Sequence, residues 1–143
     1  MQFRVESAGG VASTVQVGPH RLLFDQPASN GGEGRGPSPL PVLAVAVGAC
    51  AHYYAAAFLT RRGLPVGGLV VDVAYDKATE GRERLAHLSV DVRLPAGFPE
   101  KYVSAVERAV RGCPAYGTLV EAPQVDLRVT PAREARAEAA PAG

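Results

Sequence analysis

Residues 39–62 read PLPVLAVAVGACAHYYAAAFLTRR and form the longest apolar stretch of the chain, with no formal charge between residues 40 and 59. Its many alanines favour a helix, for which Ser38 is a suitable N-cap residue. Gly63 and Pro65 are typical of the residues that end one. Because a helix that is apolar all round must be buried all round, we expect it at the centre of the fold or between two chains.

A membrane-spanning segment is the alternative interpretation of this stretch, since about 20 apolar residues can cross a bilayer. The stretch is dominated by Ala and Gly rather than by Leu, Ile and Phe, which makes it a poor candidate for insertion. The whole chain is 47% hydrophobic and 20% charged, as is usual for a globular domain. The composition therefore favours a central helix and no membrane partner.

The 143 residues are enough for one domain, to which we assign residues 1–130, and residues 131–143 are predicted to be a flexible C-terminal tail. One small domain has little material to cover a wholly apolar helix, so a homodimer is expected. A net charge of +1 gives no basic field for nucleic acid. No secretory signal pattern opens the chain, which indicates a cytoplasmic protein.

Period-two patterns predict six strands, and two shorter helices are predicted after the central one. The strands are Gln2–Ser7, Val11–Val17, His20–Asp25, Leu69–Tyr75, Leu85–Leu94 and Val125–Thr130, and the helices cover residues 98–112 and 115–121. Gly9-Gly10 is a two-residue hairpin signal. The fourth and fifth strands are expected to pair with one face in water. Residues 26–37, QPASNGGEGRGP, form a Gly-rich loop that leads into the central helix.

Cys50 and Cys113 are the chain's two cysteines and its main candidates for chemistry. In a cytoplasmic protein they are more often reactive thiols than a structural disulfide, although both could simply be small buried hydrophobic residues. Burial in the central helix is expected to raise the pKa of Cys50. Cys113 precedes Pro114 at a helix start, where N–H groups stabilise a thiolate, so local sequence makes Cys113 the more acidic thiol.

The three histidines lie far apart in the sequence, and none is spaced from a cysteine as metal ligands are. His52 follows Cys50 by two residues, so it points away from the thiol around the helix and is expected to be an interior histidine. No metal and no cofactor are therefore predicted.

The order of these features resembles the OsmC/Ohr family, the osmotically inducible and organic hydroperoxide resistance proteins. The resemblance runs from Asp25-Gln26-Pro27 through Gly31-Gly32, Gly36-Pro37-Ser38-Pro39-Leu40, Gly48-Ala49-Cys50 and Arg62-Gly63 to Cys113-Pro114. It implies an α+β fold of antiparallel sheets around a long buried central helix, in an intertwined homodimer with active sites at the interface. It also implies that Cys50 attacks a hydroperoxide and that Cys113 resolves the product as a disulfide.

One position departs from the family pattern. Peroxidase members carry a Glu about ten residues before the first cysteine, where it holds an Arg that stabilises the thiolate, whereas this chain has Leu40 and Pro41 there. Arg35 in the Gly-rich loop is the candidate cation, ahead of Arg21, and without that Glu it is expected to be unanchored. Glu33 could substitute if the loop folds over the helix.

Two functions from different classes therefore remain. The first is a cysteine-based peroxidase that reduces organic hydroperoxides to alcohols, with Cys50 oxidised to a sulfenic acid, Cys113 resolving it and an external thiol as reductant. The second is a non-catalytic dimer of the same fold that binds a small hydrophobic molecule. A metal-stabilised or purely structural stress protein is the third possibility.

Overall fold

The computed structural model describes residues 1–131. Five strands and three α-helices follow one another: β1 (Val5–Ser7), β2 (Ser13–Val17), β3 (His20–Phe24), α1 (Pro39–Arg61), β4 (Val70–Lys77), β5 (Leu85–Arg93), α2 (Val103–Arg111) and α3 (Pro114–Val120). Short 3-10 turns at Ala28–Asn30 and Glu100–Tyr102 precede α1 and α2. The architecture is thus α+β, and the predicted long helix is confirmed.

The first three strands form an antiparallel sheet in the order β1-β2-β3, as the sequence predicts. The β1–β2 loop is longer than the predicted two residues, because Ser7 pairs with Ser13 and residues 8–12 lie between them. Gly9 and Gly10 both have positive φ, at 94° and 54°, a conformation that glycine adopts without steric cost. The glycine signal therefore located the turn correctly but not its length.

The Gly-rich loop is held against the end of β3 by the carboxylate of Asp25, which is 2% exposed. Its oxygens accept backbone N–H groups from Gln26 at 2.8 Å, Glu33 at 3.1 Å and Arg35 at 3.0 Å. The pKa of Asp25 is lowered, chiefly by the backbone N–H of Arg35. Burial acts in the opposite direction, whereas the N–H groups of Gln26 and Glu33 and the charge of Arg35 lower the pKa further. One carboxylate thereby orders a loop that has no regular structure beyond one short turn.

Helix α1 buries one face against the chain and leaves the other exposed. The buried residues are Ala44, Val47, Gly48, Ala51, Ala55, Phe58 and Leu59. On the opposite face Leu43 is 46% exposed, and Val45 and Tyr53 are both 62% exposed. The expectation of burial on all sides is therefore not met within one chain, which covers a helix only where its own sheet and helices reach.

By length and composition alone α1 could also cross a membrane, and 39% of its most apolar window is buried in the chain. The central helix of a soluble protein can have the same length and hydropathy, so these two properties of α1 are weak evidence for a membrane span.

Strands β4 and β5 form a separate antiparallel pair with one polar face, which confirms the predicted wet face. On this face Arg93 pairs with Asp72, and Nδ1 of His87 lies 3.7 Å from an Asp76 oxygen. The other face, which includes Val73, packs on α1. Strand β4 and α1 thereby form a two-layer unit that sets the position of the middle of α1.

Helix α2 covers the C-terminal half of α1. Phe58, Leu59 and Val106 belong to the largest buried cluster, and the Arg62 guanidinium lies 3.7 Å from the centre of the Phe58 ring. The predicted helix over residues 98–112 begins as a 3-10 turn and becomes α-helical only at Val103. This packing fixes the segment that carries the second cysteine.

The predicted strand Val125–Thr130 is wrong for the described chain, in which these residues carry no strand hydrogen bonds. Val125, Leu127 and Val129 are 81%, 89% and 87% exposed. A strand requires a neighbouring strand to satisfy its backbone groups, and residues 1–131 of one chain supply none at this position. Residues 1–131 therefore contain five strands in two sheets rather than six, and the predicted tail, from residue 132 onward, lies outside the described residues.

Candidate dithiol site

Two helices bring the cysteines together. Cys50 lies in the middle of α1, and Cys113 is the N-cap residue of α3, immediately before Pro114. The backbone of Cys113 is fixed on both sides, since its N–H donates to Val110 O at 2.9 Å and its C=O accepts from Gly117 N–H at 2.9 Å. Because α3 packs on α1, the sharp junction between α2 and α3 directs Cys113 towards the middle of α1.

Cys50 and Cys113 are both free thiols, and they lie close enough together for Cys113 to raise the pKa of Cys50. Cys113 is 1% exposed, whereas Cys50 is half-buried. Two neighbouring free thiols on different helices make this pair the candidate site of the described chain.

The electrostatics of the pair centre on Cys50. Burial raises the pKa of its thiol, and the hydrogen bond and charge of Cys113 raise it further, whereas the backbone N–H of Ala115 lowers it. The predicted effect of burial on the pKa is thus confirmed. The sequence had assigned the N–H groups of this turn to Cys113, but the sulfur of Cys113 makes no capping hydrogen bond and the Ala115 N–H serves Cys50.

Arg35, the predicted cation of the site, is held against Asp25 at the start of the Gly-rich loop and against the β1–β2 loop. Its Nη2 donates to the carbonyls of Ala8 at 2.9 Å and Gly9 at 3.2 Å, and its Nε lies 3.2 Å from a Glu33 oxygen and 3.6 Å from an Asp25 oxygen. The expectation of an unanchored guanidinium is therefore wrong. Among the described residues, no arginine contributes to the shifted pKa of Cys50.

An apolar cavity of about 590 Å³ is bounded by α1, β5, α2 and α3, and its lining includes neither cysteine, although Ala51 follows Cys50 in the sequence. Its α1 wall is Val47 and Ala51, on the face next to Cys50. The polar side chains in its lining are Glu107, Arg111 and Tyr116, in which Arg111 donates to Glu107 at 2.9 and 3.0 Å and to the Tyr116 hydroxyl at 3.1 Å. No local sequence pattern predicts this cavity, because it arises only where the four elements meet.

The histidines lie away from the thiol pair. His52 is exposed on α1 rather than interior, since the chain does not cover that face of the helix. His20 is exposed at the start of β3, and His87 lies beside Asp76 on the wet face. Within residues 1–131, no group of three or more His, Cys, Asp or Glu side chains is arranged to hold a metal ion.

Fold and site together define an α+β protein with two interacting thiols, one on its long helix. The family model described as OsmC-like protein matches residues 32–128, more than half of the chain. The chain therefore belongs to the OsmC-like family. No curated protein matches it.

Solved structures share this fold at low sequence identity. An osmotic stress induced and detoxification response protein from Psychrobacter arcticus 273-4 superposes with a TM-score of 0.72 at 16% identity, covering 82% of this chain and 87% of that one. An organic hydroperoxide resistance protein OsmC from Legionella pneumophila superposes with a TM-score of 0.58 at 16% identity, covering 83% of this chain and 89% of that one. An organic hydroperoxide resistance protein from Vibrio cholerae, with captopril bound in one of its active sites, superposes with a TM-score of 0.59 at 20% identity. The match covers 83% of this chain and 84% of that one.

Proposed function

We propose that the protein is a thiol-dependent peroxidase that reduces organic hydroperoxides to alcohols. The observation that supports this most strongly is the proximity of Cys50 and Cys113, two free thiols on different helices that differ in exposure and of which Cys113 raises the pKa of Cys50. Membership of a family that includes organic hydroperoxide resistance proteins agrees with it. The half-buried Cys50 is the attacking thiol, and the buried Cys113 is the resolving one.

The chemistry proceeds in two steps. The Cys50 thiolate attacks the terminal oxygen of the hydroperoxide and the O–O bond breaks, so that the alkoxide takes a proton and leaves as the alcohol while Cys50 becomes a sulfenic acid. The sulfur of Cys113 then attacks the sulfur of Cys50, water leaves, and a Cys50–Cys113 disulfide remains. An external thiol supplies the two electrons that restore both thiols.

The raised pKa of Cys50 makes the first step slow at neutral pH, because only the thiolate attacks. The backbone N–H of Ala115 is the described group that favours the charged form. We expect Cys50 to react more slowly than the corresponding thiol in a family member with the Glu–Arg pair that Leu40 and Pro41 replace here.

Arg35 is the third residue of the proposed site. In one chain Asp25 and Glu33 hold its guanidinium, so it acts on Cys50 only if the loop moves or if the loop of a second copy reaches the thiol. Arg35→Ala should then slow the reaction of Cys50 with hydroperoxide while Arg21→Ala does not. Equal rates for wild type and Arg35→Ala from pH 6 to pH 9 would remove Arg35 from the mechanism.

A homodimer is part of the proposal. The exposed face of α1 around Val45 and Tyr53, and the alternating apolar side chains of residues 125–129, are surfaces that a second copy would cover. Strand-like segments without a partner in their own chain commonly pair with another chain. We place this dimer in the cytoplasm, without cofactor, metal or nucleic acid.

The apolar cavity is the reason to keep a second candidate function, a non-catalytic dimer that holds a small hydrophobic molecule. Its volume of about 590 Å³ falls within the range of ligand pockets, about 300–1,000 Å³, and its walls are mainly apolar. In the peroxidase, the same cavity would receive the apolar part of the hydroperoxide. The two functions therefore differ in whether the thiols react.

A turnover assay separates these functions. Wild-type protein supplied with cumene hydroperoxide and excess dithiothreitol should produce the alcohol catalytically, and Cys50→Ser should produce none above background. Cys113→Ser is the matched control, because it keeps the attacking thiol and should retain the first turnover. Equal, background-level activity of wild type and Cys50→Ser would leave the ligand-binding alternative.

A further inference from the structure

The cavity between α1, β5, α2 and α3 has one polar patch in an otherwise apolar lining, formed by Glu107, Arg111 and Tyr116. Arg111 donates to the Glu107 carboxylate from Nε at 3.0 Å and from Nη2 at 2.9 Å. Its Nη1 donates to the Tyr116 hydroxyl at 3.1 Å. The three side chains therefore form one unit, which links α2 to α3 across the junction that carries Cys113.

The α1 wall of the cavity lies away from the face of α1 that we assign to a second copy. Val47 and Ala51, which form this wall, are 3% and 2% exposed within one chain. They lie two residues from Val45 and Tyr53, and a step of two residues, about 200°, turns a side chain to the opposite side of a helix. The hydrogen bonds of the polar patch also lie within one chain, so neither feature rests on the exposure of the α1 face.

The polar patch carries no net charge. Glu107 and Arg111 are the charged side chains of the lining, and they neutralise each other as an ion pair. A carboxylate that entered the cavity would lose water and would lie near the Glu107 carboxylate, with no unpaired cation to offset either cost. A neutral oxygen group avoids both costs.

The polar patch still offers hydrogen bonds to a neutral ligand. The Tyr116 oxygen accepts from Arg111, which leaves the hydroxyl proton for another acceptor. Arg111 uses three of its five N–H groups within the patch, so two remain. An alcohol or hydroperoxide oxygen can accept these hydrogen bonds while its apolar part contacts the aliphatic walls.

We propose that the cavity selects small apolar molecules that end in a neutral oxygen group, such as an alcohol or a hydroperoxide, and rejects carboxylates of the same size. Tyr116 and Arg111 donate to the oxygen of the ligand, and Glu107 excludes the carboxylates. The inference rests on the proposed function in using the cavity as a ligand site. It adds the chemical class of the ligand and the residues that select it.

Three ligands with equal numbers of carbon atoms test this selection: phenylpropanol, phenylpropanoate and propylbenzene. Each is titrated into the reduced protein in its own oligomeric state and followed by the methyl NMR shifts of the valines in the cavity lining. We expect phenylpropanol to bind at least about fivefold more tightly than phenylpropanoate. Tighter binding of phenylpropanoate, or no binding of any of the three, would overturn the proposal.

Tyr116→Phe tests the hydrogen bond to the ligand. It should weaken the binding of phenylpropanol by about two- to tenfold, because one net hydrogen bond is lost, and leave that of propylbenzene unchanged. Equal losses for both ligands would show that Tyr116 only shapes the wall, and they would remove it as a donor.

Glu107→Gln is the sharpest test, because it leaves Arg111 as an uncompensated cation in the lining. The variant should bind phenylpropanoate at least about fivefold more tightly, the effect of two unit charges about 4 Å apart even in water, and phenylpropanol within about twofold of wild type. Glu83→Gln is the matched control, since it also removes the negative charge of an exposed ion pair, here with Lys77, and should change neither affinity. Unchanged binding of phenylpropanoate to Glu107→Gln would contradict the proposal.

A second substitution keeps this result specific. Glu107 is 60% exposed, so Glu107→Gln and Glu107→Ala should both melt within a few degrees of wild type. Adding Arg111→Gln to either variant should abolish the gain in phenylpropanoate binding, and a gain that persists would refute the role of Arg111. The titrations involve no hydroperoxide and no reaction of the thiols. A protein that binds with this selectivity but does not turn over hydroperoxide would therefore refute the peroxidase and support the inference.

Discussion

Gly48 of α1 faces Val73 of β4 so closely that a Cβ atom at position 48 would lie 2.3 Å from the Val73 Cγ2 atom. Real Cβ atoms essentially never approach another heavy atom within 3.0 Å, so any larger residue requires the Val73 side chain, or the helix and the sheet, to shift. This contact lies two residues before Cys50. The absence of one side chain therefore sets the depth at which α1, and its thiol, lie on the sheet.

Gly48→Ala should lower the free energy of unfolding by about 1–3 kcal/mol, since overpacking outweighs the gain in helix propensity. Gly117→Ala is the matched control, because Gly117 is also helical and a Cβ there meets nothing within 4 Å. The control should raise stability by up to about 1 kcal/mol. Urea denaturation measures both, and a Gly48→Ala protein as stable as the control would contradict this packing.

Asp25→Asn should destabilise the fold at neutral pH, because the carboxylate accepts three backbone N–H groups. The folded-state pKa of Asp25 lies below its ordinary value of 3.8, so its contribution is fully present above that value and is lost as pH falls through the folded pKa.

The difference in melting temperature between wild type and Asp25→Asn should therefore be large at pH 7 and should shrink below about pH 4. Asp126→Asn, at an exposed carboxylate, is the control and should melt like wild type. A difference that stays constant from pH 7 to pH 3 would show that the charge of Asp25 has no part in holding the loop.

Cys113→Ala should lower the pKa of Cys50, because the hydrogen bond and charge of Cys113 both raise it. Burial, the largest cause, remains in this variant, so the pKa should fall only part of the way to the ordinary value of 9.0. The ultraviolet absorbance of the thiolate as a function of pH measures this shift. A higher pKa in Cys113→Ala would mean that Cys113 stabilises the Cys50 thiolate instead.

Val45→Lys should weaken self-association, since it would bury an unpaired charge in the face of α1 that we assign to the second copy. We expect the dimer dissociation constant to rise at least about a hundredfold, measured by sedimentation. Val11→Lys is the control, at a residue that is 53% exposed in the β1–β2 loop. A wild type that sediments as a folded monomer at micromolar concentration would rule out the proposed dimer.

Sequence patterns located α1 and most strands because apolar patterning and the flanking Gly and Pro residues act locally, although Ser38, at the N-cap position of α1, makes no side-chain capping hydrogen bond. Strand Val125–Thr130 shows the limit of this logic, since alternation predicts a strand without identifying a partner for it. Burial of α1 shows a second limit. The composition of a helix indicates that all its faces favour burial, but not whether a single chain can bury them.

Part of the candidate site could also be predicted. The resemblance paired Cys50 with Cys113, which lie far apart in sequence, and in the structure Cys113 is close enough to raise the pKa of Cys50. The local sequence assigned the N–H groups at the start of α3 to Cys113, whereas the Ala115 N–H acts on Cys50. An interaction with a residue in another helix depends on packing rather than on sequence spacing. The anchoring of Arg35 by Asp25 was missed for the same reason, although the conformational demands of a Gly-rich loop beside an Asp could have suggested it.

The central claim is that Cys50 and Cys113 form a redox pair driven by organic hydroperoxides. The most direct measurement treats fully reduced protein with one equivalent of cumene hydroperoxide and determines the alcohol produced and the state of both cysteines by peptide mapping. We predict one alcohol and one intramolecular Cys50–Cys113 disulfide per chain, in a protein that remains folded. Two free thiols in folded protein, with the hydroperoxide unconsumed, would contradict the account.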